Sequence, residues 1–377
     1  MQYRSLGKTG LELSNLGFGM MRLPMIDNDY GKIDEILAEK LILHGIDNGI
    51  NWLDSGYSYH MGKSEPFMGR VVKKNGLRDK ILLATKLPVW EVRDKKDFGR
   101  LLHEQLDKLQ TDHIDLYLLH ALSDLRWAKV RDLGVGDFLD KAISDGKIRA
   151  AGFSFHDELS AFKTIVDQYN WSFCYLQYNY MDSTYQAGTE GLKLAAGAGM
   201  GVVAMEPVRG GSLARAPKEV LEAFTRSGKS WSPVEWALRW VWNHPEISGL
   251  LSGMNAMEQV EENLRVAGSA GQEELSKEDL AIIELARKTY KARIRVNCTK
   301  CGYCMPCPAG VQIPRILEFF NNRHIFDDKR GGTISYTMLL TPEQRADKCV
   351  SCGQCESKCP QHIGIIEALS ESHKELS

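Results

Sequence analysis

Over residues 1–290, short and almost wholly apolar runs alternate with longer segments whose apolar residues recur at helical spacing. The runs Leu16–Gly19, Asn51–Asp54, Ile81–Lys86, Ile114–His120, Ile148–Ser154, Phe173–Asn179, Gly201–Glu206 and Gly249–Ser252 predict strands. Between them, segments such as Lys32–Asn48, Lys95–Leu109 and Glu158–Gln168 predict amphipathic helices. Asp34, Asp94 and Asp157 stand where they would cap or charge helix starts, and Gly49 and Gly146 where helices would end. Met1–Gly19 reads as a turn-rich ribbon leading into the first strand. Eight strands alternating with eight helices match the rhythm and length of a (β/α)8 TIM barrel. A doubly wound sheet is the alternative, but the first strand-to-helix turn carries no glycine-rich dinucleotide fingerprint. Repeats with a period of 20–50 residues and low-complexity tracts are absent.

The pattern changes after the basic segment Lys288–Val296, which places a domain boundary there and divides the chain into 1–290 and 291–377. Of nine cysteines, eight lie between Cys298 and Cys359; Cys174 stands apart in an apolar run and reads as a core thiol. Such clustering points to metal-binding thiolates in a reducing compartment rather than to a disulfide framework. The first run is Cys298, Cys301, Cys304 and Cys307, followed by Pro308. The second is Cys349, Cys352, Cys355 and Cys359, followed by Pro360. Two-residue gaps let three thiolates of one tight loop converge on a cubane, while the cysteine before proline ligates the other cluster. Cys298, Cys301 and Cys304 therefore pair with Cys359, and Cys349, Cys352 and Cys355 with Cys307, around two 4Fe–4S clusters. The second run has the full bacterial ferredoxin spacing; the first is one residue shorter before its last cysteine. Structural zinc usually takes two separated cysteine pairs, not a run of four closed by Cys-Pro. The spacer carries the apolar-periodic segments Ile313–Phe320 and Thr341–Asp347. It resembles the largely helical ferredoxin-like modules attached to oxidoreductases.

The full chain has 377 residues, enough for one large and one small domain. Hydrophobic residues at 43% and charged residues at 25% are ordinary for a globular protein, and a net charge of −2 gives no pull toward nucleic acid or a membrane surface. No run reaches the length of a membrane span and no signal pattern opens the chain, so a cytoplasmic location is expected.

In a barrel, polar residues at the C-terminal ends of strands are the catalytic candidates. Asp54, Lys86 and His120 each close an apolar run, and Tyr59 follows Asp54 by five residues. Tyrosine is a poor acid at neutral pH. A lysine ammonium beside it favours phenolate, an aspartate keeps the lysine charged, and a histidine can orient a carbonyl oxygen. The set suits protonation of a carbonyl oxygen while hydride reaches carbon. Taken singly, Asp54 could cap a helix and His120 could be a satisfied core residue.

The stretch Asn51–Gly69, with Asp54 and Tyr59 five apart and Ser64-Glu65 preceding a helix, resembles the aldo-keto reductase motif. The strands ending in Lys86, His120 and Ser154 resemble that family's corresponding strands, and the resemblance spans about residues 1–290. It implies NAD(P)H-dependent reduction of a small-molecule carbonyl substrate, with Tyr59 as acid, Lys86 and Asp54 tuning it and His120 at the carbonyl. The spacing selects Tyr59 over Tyr57, which is left as a wall residue. Ser154 and Gln177 match positions that hold the nicotinamide carboxamide, although Phe155 replaces the usual asparagine. Met205 stands in place of a stacking aromatic, and Arg209 with Gly210 lies where a loop could reach a pyrophosphate. Ser252, Glu262 and Asn263 fall in the last cofactor loop. There Gly253 and Gln259 replace the basic residues that grip a 2′-phosphate, which leaves NADP against NAD open and admits a flavin. Met20–Tyr30, Trp90 and Leu122–Trp127 are the expected pocket walls. The clusters would pass single electrons to or from a partner such as ferredoxin or flavodoxin. Hydride carries two electrons and each cluster one, so the barrel would couple to the clusters through a bound flavin, or use cluster electrons instead of hydride, or have clusters that only stabilise or sense. The second reading is an electron carrier or redox sensor whose barrel is a non-catalytic scaffold.

Overall fold

The computed structural model of the chain describes residues 1–298 and 300–377. An antiparallel hairpin of β1 (Tyr3–Ser5) and β2 (Glu12–Ser14) comes first. Eight parallel strands then close a barrel: β3 (Leu16–Gly19), β4 (Trp52–Asp54), β5 (Leu82–Leu87), β6 (Ile114–Leu122), β7 (Ile148–Phe155), β8 (Phe173–Gln177), β9 (Gly201–Met205) and β10 (Ile247–Gly253). Their order follows the chain, with β10 pairing back onto β3. Barrel strands are dry on both faces, which is why the sequence shows continuous apolar runs there rather than alternation. The ribbon expected at the N-terminus has a specific task. Leu6, Leu11 and Leu13 of the hairpin pack against Trp52, Ala84, Leu116, Ala150 and Phe173, near the strands' N-terminal ends. That end of the barrel is plugged, and the C-terminal ends are left to carry chemistry.

The expected helices lie at Glu35–Asp47, Lys96–Leu109 and Leu159–Asp167. Asp34 caps the first, accepting the Leu37 N–H, and Gly49, at φ +100°, takes the left-handed turn that follows it. Asp157 serves a second helix start besides the one anticipated. Its carboxylate accepts the Asp124 N–H at the head of helix Asp124–Asp132 as well as the Glu158 N–H.

The chain forms two compact units, Met1–Gly210 with Glu235–Ser276, and Gly211–Val234 with Lys277–Ser377. The first holds all ten strands. In the second, helices Ile313–Ile325, Lys329–Leu339 and Ile365–Leu376 surround a core that includes Val311, Ile316, Leu317, Phe320, Tyr336 and Leu369. The segment Thr341–Asp347, expected to be helical, forms two short 3-10 turns instead. Pro342 confines Thr341 to extended backbone, so the preceding helix cannot continue through it. Among the described residues, no helix is long and apolar enough to cross a membrane.

Candidate functional site

Asp54, Lys86 and His120 stand at the C-terminal ends of β4, β5 and β6, and Tyr59 opens the turn after β4. The four come together. Lys86 Nζ donates to Asp54 Oδ1 and to the Ser55 carbonyl, each at 2.5 Å, with both charged side chains 1% exposed. The same ammonium lies 4.8 Å from the centre of the Tyr59 ring, and the His120 ring meets Tyr59 edge-on at 5.8 Å. Burial works against the Lys86 ammonium, but Asp54 and Tyr59 outweigh it and hold the lysine above its usual pKa. Tyr59 does not follow the expectation that Lys86 would lower it. Burial of the phenol is the larger effect, so Tyr59 is shifted upward, with Lys86 offsetting part of the rise. His120 is driven well below the ordinary histidine value by burial and then by the Lys86 charge, so its imidazole is neutral. Its Nδ1 is buried without a hydrogen-bond partner.

The backbone around these residues is shaped for the site. The β6–β7 ladder breaks register between Leu119 and Leu122, and Ala121 sits at φ +53°. Such a bulge re-aims one strand residue, here His120. After β4, His60 and Met61 take positive φ of 50° and 55°. His60 is buried, with Nδ1 bonded to the Tyr30 carbonyl at 2.9 Å and Nε2 accepting the Leu23 N–H at 3.3 Å. Those two partners hold a neutral ring in one tautomer and fasten the Tyr59 turn to the loop after β3.

Tyr57 turns away from Lys86. Its hydroxyl donates to Glu104 Oε1 at 3.0 Å, and Lys108 Nζ lies 3.9 Å from its ring centre. Of the expected pocket walls, Trp90 is 39% exposed and its ring lies tilted by 49° against that of His120, with centres 5.0 Å apart. Trp127 is core instead: it is buried, packs on Trp171 and donates to Gln168.

The expected cofactor residues form a rim across β7 to β10. Gln177 is in register with Met205, Ser154 with Tyr175, and Gly253 with Gly19. The Ser154 hydroxyl oxygen accepts the Ala121 N–H at 2.7 Å and keeps its own proton to donate. Ser252 accepts from Asn263 at 3.1 Å, and Gln259 closes the next loop by accepting the Asn255 N–H. Glu262 follows on the same helix, Met257–Ser269. Arg209, next to Gly210, is engaged by Asp182 at 2.9 Å. Asp182 also accepts from Gln177 and Asn179, each at 3.3 Å. Nothing in the sequence pattern singled out Asp182. A second unanticipated group lies in the barrel wall. Gln105 donates to Glu65 Oε1 at 2.6 Å and to the Lys86 carbonyl at 3.0 Å, while Tyr117 donates to Gln105. A glutamine between Leu102 and Leu106 on the apolar face of a helix was the available signal.

The cysteines line two cavities in the second unit. One is walled by Cys298, Cys301, Cys304 and Cys359, the other by Cys307, Cys349, Cys352 and Cys355, with Cys304 reaching both. Among the described residues, no three His, Cys, Asp or Glu side chains are gathered tightly enough for a single ion. Two sets of four thiols, each around its own cavity, fit a pair of cubanes. Cys301 and Cys352 are exposed, one at each cavity.

Residues 15–288 match the model of the aldo/keto reductase family, and residues 297–363 that of a 4Fe-4S dicluster domain. Among individual proteins, the aldo-keto reductase YhdN of Bacillus subtilis is 32% identical over 161 residues, covering 41% of this chain and 47% of its own length. The uncharacterized oxidoreductase YrpG of the same organism is 28% identical over 307 residues, 70% of this chain and 90% of its own. The solved aldo-keto reductase AKR11C1 from Bacillus halodurans, in its holo form, superposes with a TM-score of 0.64 at 27% identity. That match covers 76% of this chain and 96% of the other.

Proposed function

The chain belongs to the aldo/keto reductase family, and on that premise we propose that its barrel reduces the carbonyl of a small molecule, with Tyr59 as proton donor. NADPH or NADH is the proposed reductant; the eight clustered cysteines are proposed to hold two 4Fe–4S clusters that exchange electrons with ferredoxin or flavodoxin. The observation that supports the barrel chemistry most is the position of Lys86, bonded to Asp54 on one side and facing Tyr59 on the other. Tyr59, held neutral by burial, keeps a proton to give. Lys86 stabilises the phenolate left behind, and Asp54 holds Lys86 charged at that moment. Neutral His120, edge-on to Tyr59, orients the carbonyl oxygen without competing as an acid. Trp90 shields that corner from water.

For the nicotinamide, Ser154, Gln177 and Met205 would receive the ring, and the residues Ser252, Gly253, Gln259, Glu262 and Asn263 the adenosine end. When bound, the nicotinamide supplies hydride and each cluster a single electron. In the second unit, Tyr303 and Val350 are 65% and 68% exposed beside Cys301 and Cys352. Apolar groups next to an accessible thiol suit the brief docking of a small electron-transfer protein.

Anaerobic purification, followed by titration with NADH and separately NADPH while the visible spectrum is recorded, tests the whole reading. Bleaching by one nucleotide names the reductant and joins the barrel to the clusters. Turnover of carbonyl compounds that is lost in Tyr59→Phe, with iron content unchanged, establishes the acid. Intact clusters with no turnover of any carbonyl would instead favour an electron carrier.

A further inference from the structure

Arg22 lies just after β3, in the short turn Met20–Arg22, and its side chain runs along the C-terminal rim of the barrel. Its stem packs on Gly253 at the end of β10: a Cβ built there would come within 2.9 Å of Arg22 Cβ and 3.3 Å of Cγ and Cδ. Its head reaches Gly210 after β9, where a Cβ would come within 2.9 Å of Arg22 Nη2. Two glycines thus leave a shallow channel that fits one extended arginine. These are the loops after the seventh and eighth barrel strands, where TIM barrels often bind phosphate.

The charge at this place is unspent. Among the described residues, Arg22 has no hydrogen-bonded or ion-paired side-chain partner, and its side chain is exposed. Arg209, the cation the sequence suggested for a pyrophosphate, is taken by Asp182. The acidic neighbour of Arg22 is Glu206, which feels both Arg22 and Arg209 but is bonded to neither within salt-bridge distance. A planar guanidinium fixed along its stem, with its fork directed over a loop, is suited to two oxygens of one phosphate.

We infer that Arg22, rather than Arg209, is the side chain that grips a phosphate group of the barrel's ligand, and that Gly210 and Gly253 serve to lodge it. This rests on the proposal that the barrel takes a nicotinamide dinucleotide, whose diphosphate is the group concerned. Arg209, tied to Asp182, shapes the loop and positions Gln177 through that shared carboxylate.

The test measures dissociation constants of NADH, NADPH and inorganic pyrophosphate for the full-length wild-type protein and for Arg22→Ala, Arg22→Lys and Gly253→Ala. Losing a charge-assisted fork should weaken dinucleotide and pyrophosphate binding in Arg22→Ala by about 10- to 100-fold. Arg22→Lys should recover only part of it, because an ammonium lacks the fork. Gly253→Ala, which displaces the stem without touching the charge, should weaken both ligands as well. Circular dichroism and iron content should be unchanged in all three variants. Wild-type binding of dinucleotide that Arg22→Ala retains in full overturns the inference. Wild-type binding of pyrophosphate, lost in Arg22→Ala, with no binding of either dinucleotide, overturns the nicotinamide reading and leaves Arg22 as a phosphate site.

Discussion

Lys86 Nζ stands 2.5 Å from Asp54 Oδ1, and the two are sealed together in the barrel with side chains 1% exposed. A buried pair of this kind contributes little beyond its own desolvation, yet removing one partner leaves a lone charge that costs about 3–5 kcal/mol. Asp54→Asn should therefore lower the melting temperature of the barrel sharply. The double variant Asp54→Asn/Lys86→Met, with no charge left to strand, should recover much of that loss. A thermal double-mutant cycle checks it: additive losses would show that the pair is not coupled.

Tyr59 gives up its proton only above the ordinary tyrosine value of about 10, because burial outweighs the Lys86 charge. Carbonyl reduction needs the protonated phenol, so its rate should hold from neutral pH through mild alkali and fall only at higher pH. His120, held neutral by burial, should add no inflection near pH 6.5. Tyr57→Phe should leave that profile in place, since the Tyr57 hydroxyl is spent on Glu104. A pH–rate profile of both tyrosine variants decides which phenol acts.

Gln105 ties the backbone of Lys86 to Glu65 on the helix that follows the Tyr59 turn. It makes its bonds wholly inside the barrel wall, where each stranded polar group costs about 1–3 kcal/mol. Gln105→Leu should cost stability in that range and lower kcat with little change in KM, because Lys86 shifts while the pocket wall stays. An unchanged kcat in a destabilised variant would assign Gln105 to structure alone.

The barrel was legible because eight apolar runs at regular spacing have few other ways to bury themselves, and Asp54, Lys86 and His120 close such runs. Pattern reading could not see which way a loop residue turns. Tyr57 and Tyr59 differ by two positions and face different partners, Glu104 and Lys86. Trp127 reads as a wall by its place in a loop, yet a helix forms there and buries it. Arg209 carries the right charge for a phosphate, but Asp182, far along the chain, claims it. Arg22 gave no periodic signal, and its place depends on glycines at two distant positions. Long-range partners of this kind are fixed by packing and leave no local pattern.

Burial depresses the pKa of His60, His120, His156 and His244. The unfolded chain, with histidines near 6.5, takes up protons that the folded chain refuses. The stability these rings contribute is therefore complete above about pH 6.5 and is lost as pH falls below it. Melting temperatures should drop between about pH 7.5 and pH 5.5. His120→Phe, which removes one of these groups, should flatten that slope; an unaltered slope would show that His120 is not part of it.

The cysteine before each proline faces the cavity of the other run: Cys359 lines the one with Cys298, Cys301 and Cys304, and Cys307 the one with Cys349, Cys352 and Cys355. If each cluster takes its fourth ligand this way, losses of iron will follow the cavities and not the order of the sequence. Cys307→Ala combined with Cys352→Ala removes two ligands of one cluster and should leave about half the iron. Cys307→Ala combined with Cys301→Ala strikes both clusters and should leave very little. Ligation within each run predicts the reverse, since Cys301 and Cys307 would then share one cluster. Iron and sulfide analysis of the two double variants, purified without oxygen, separates the two arrangements, and the single variants show whether a three-thiolate cluster survives long enough to be counted.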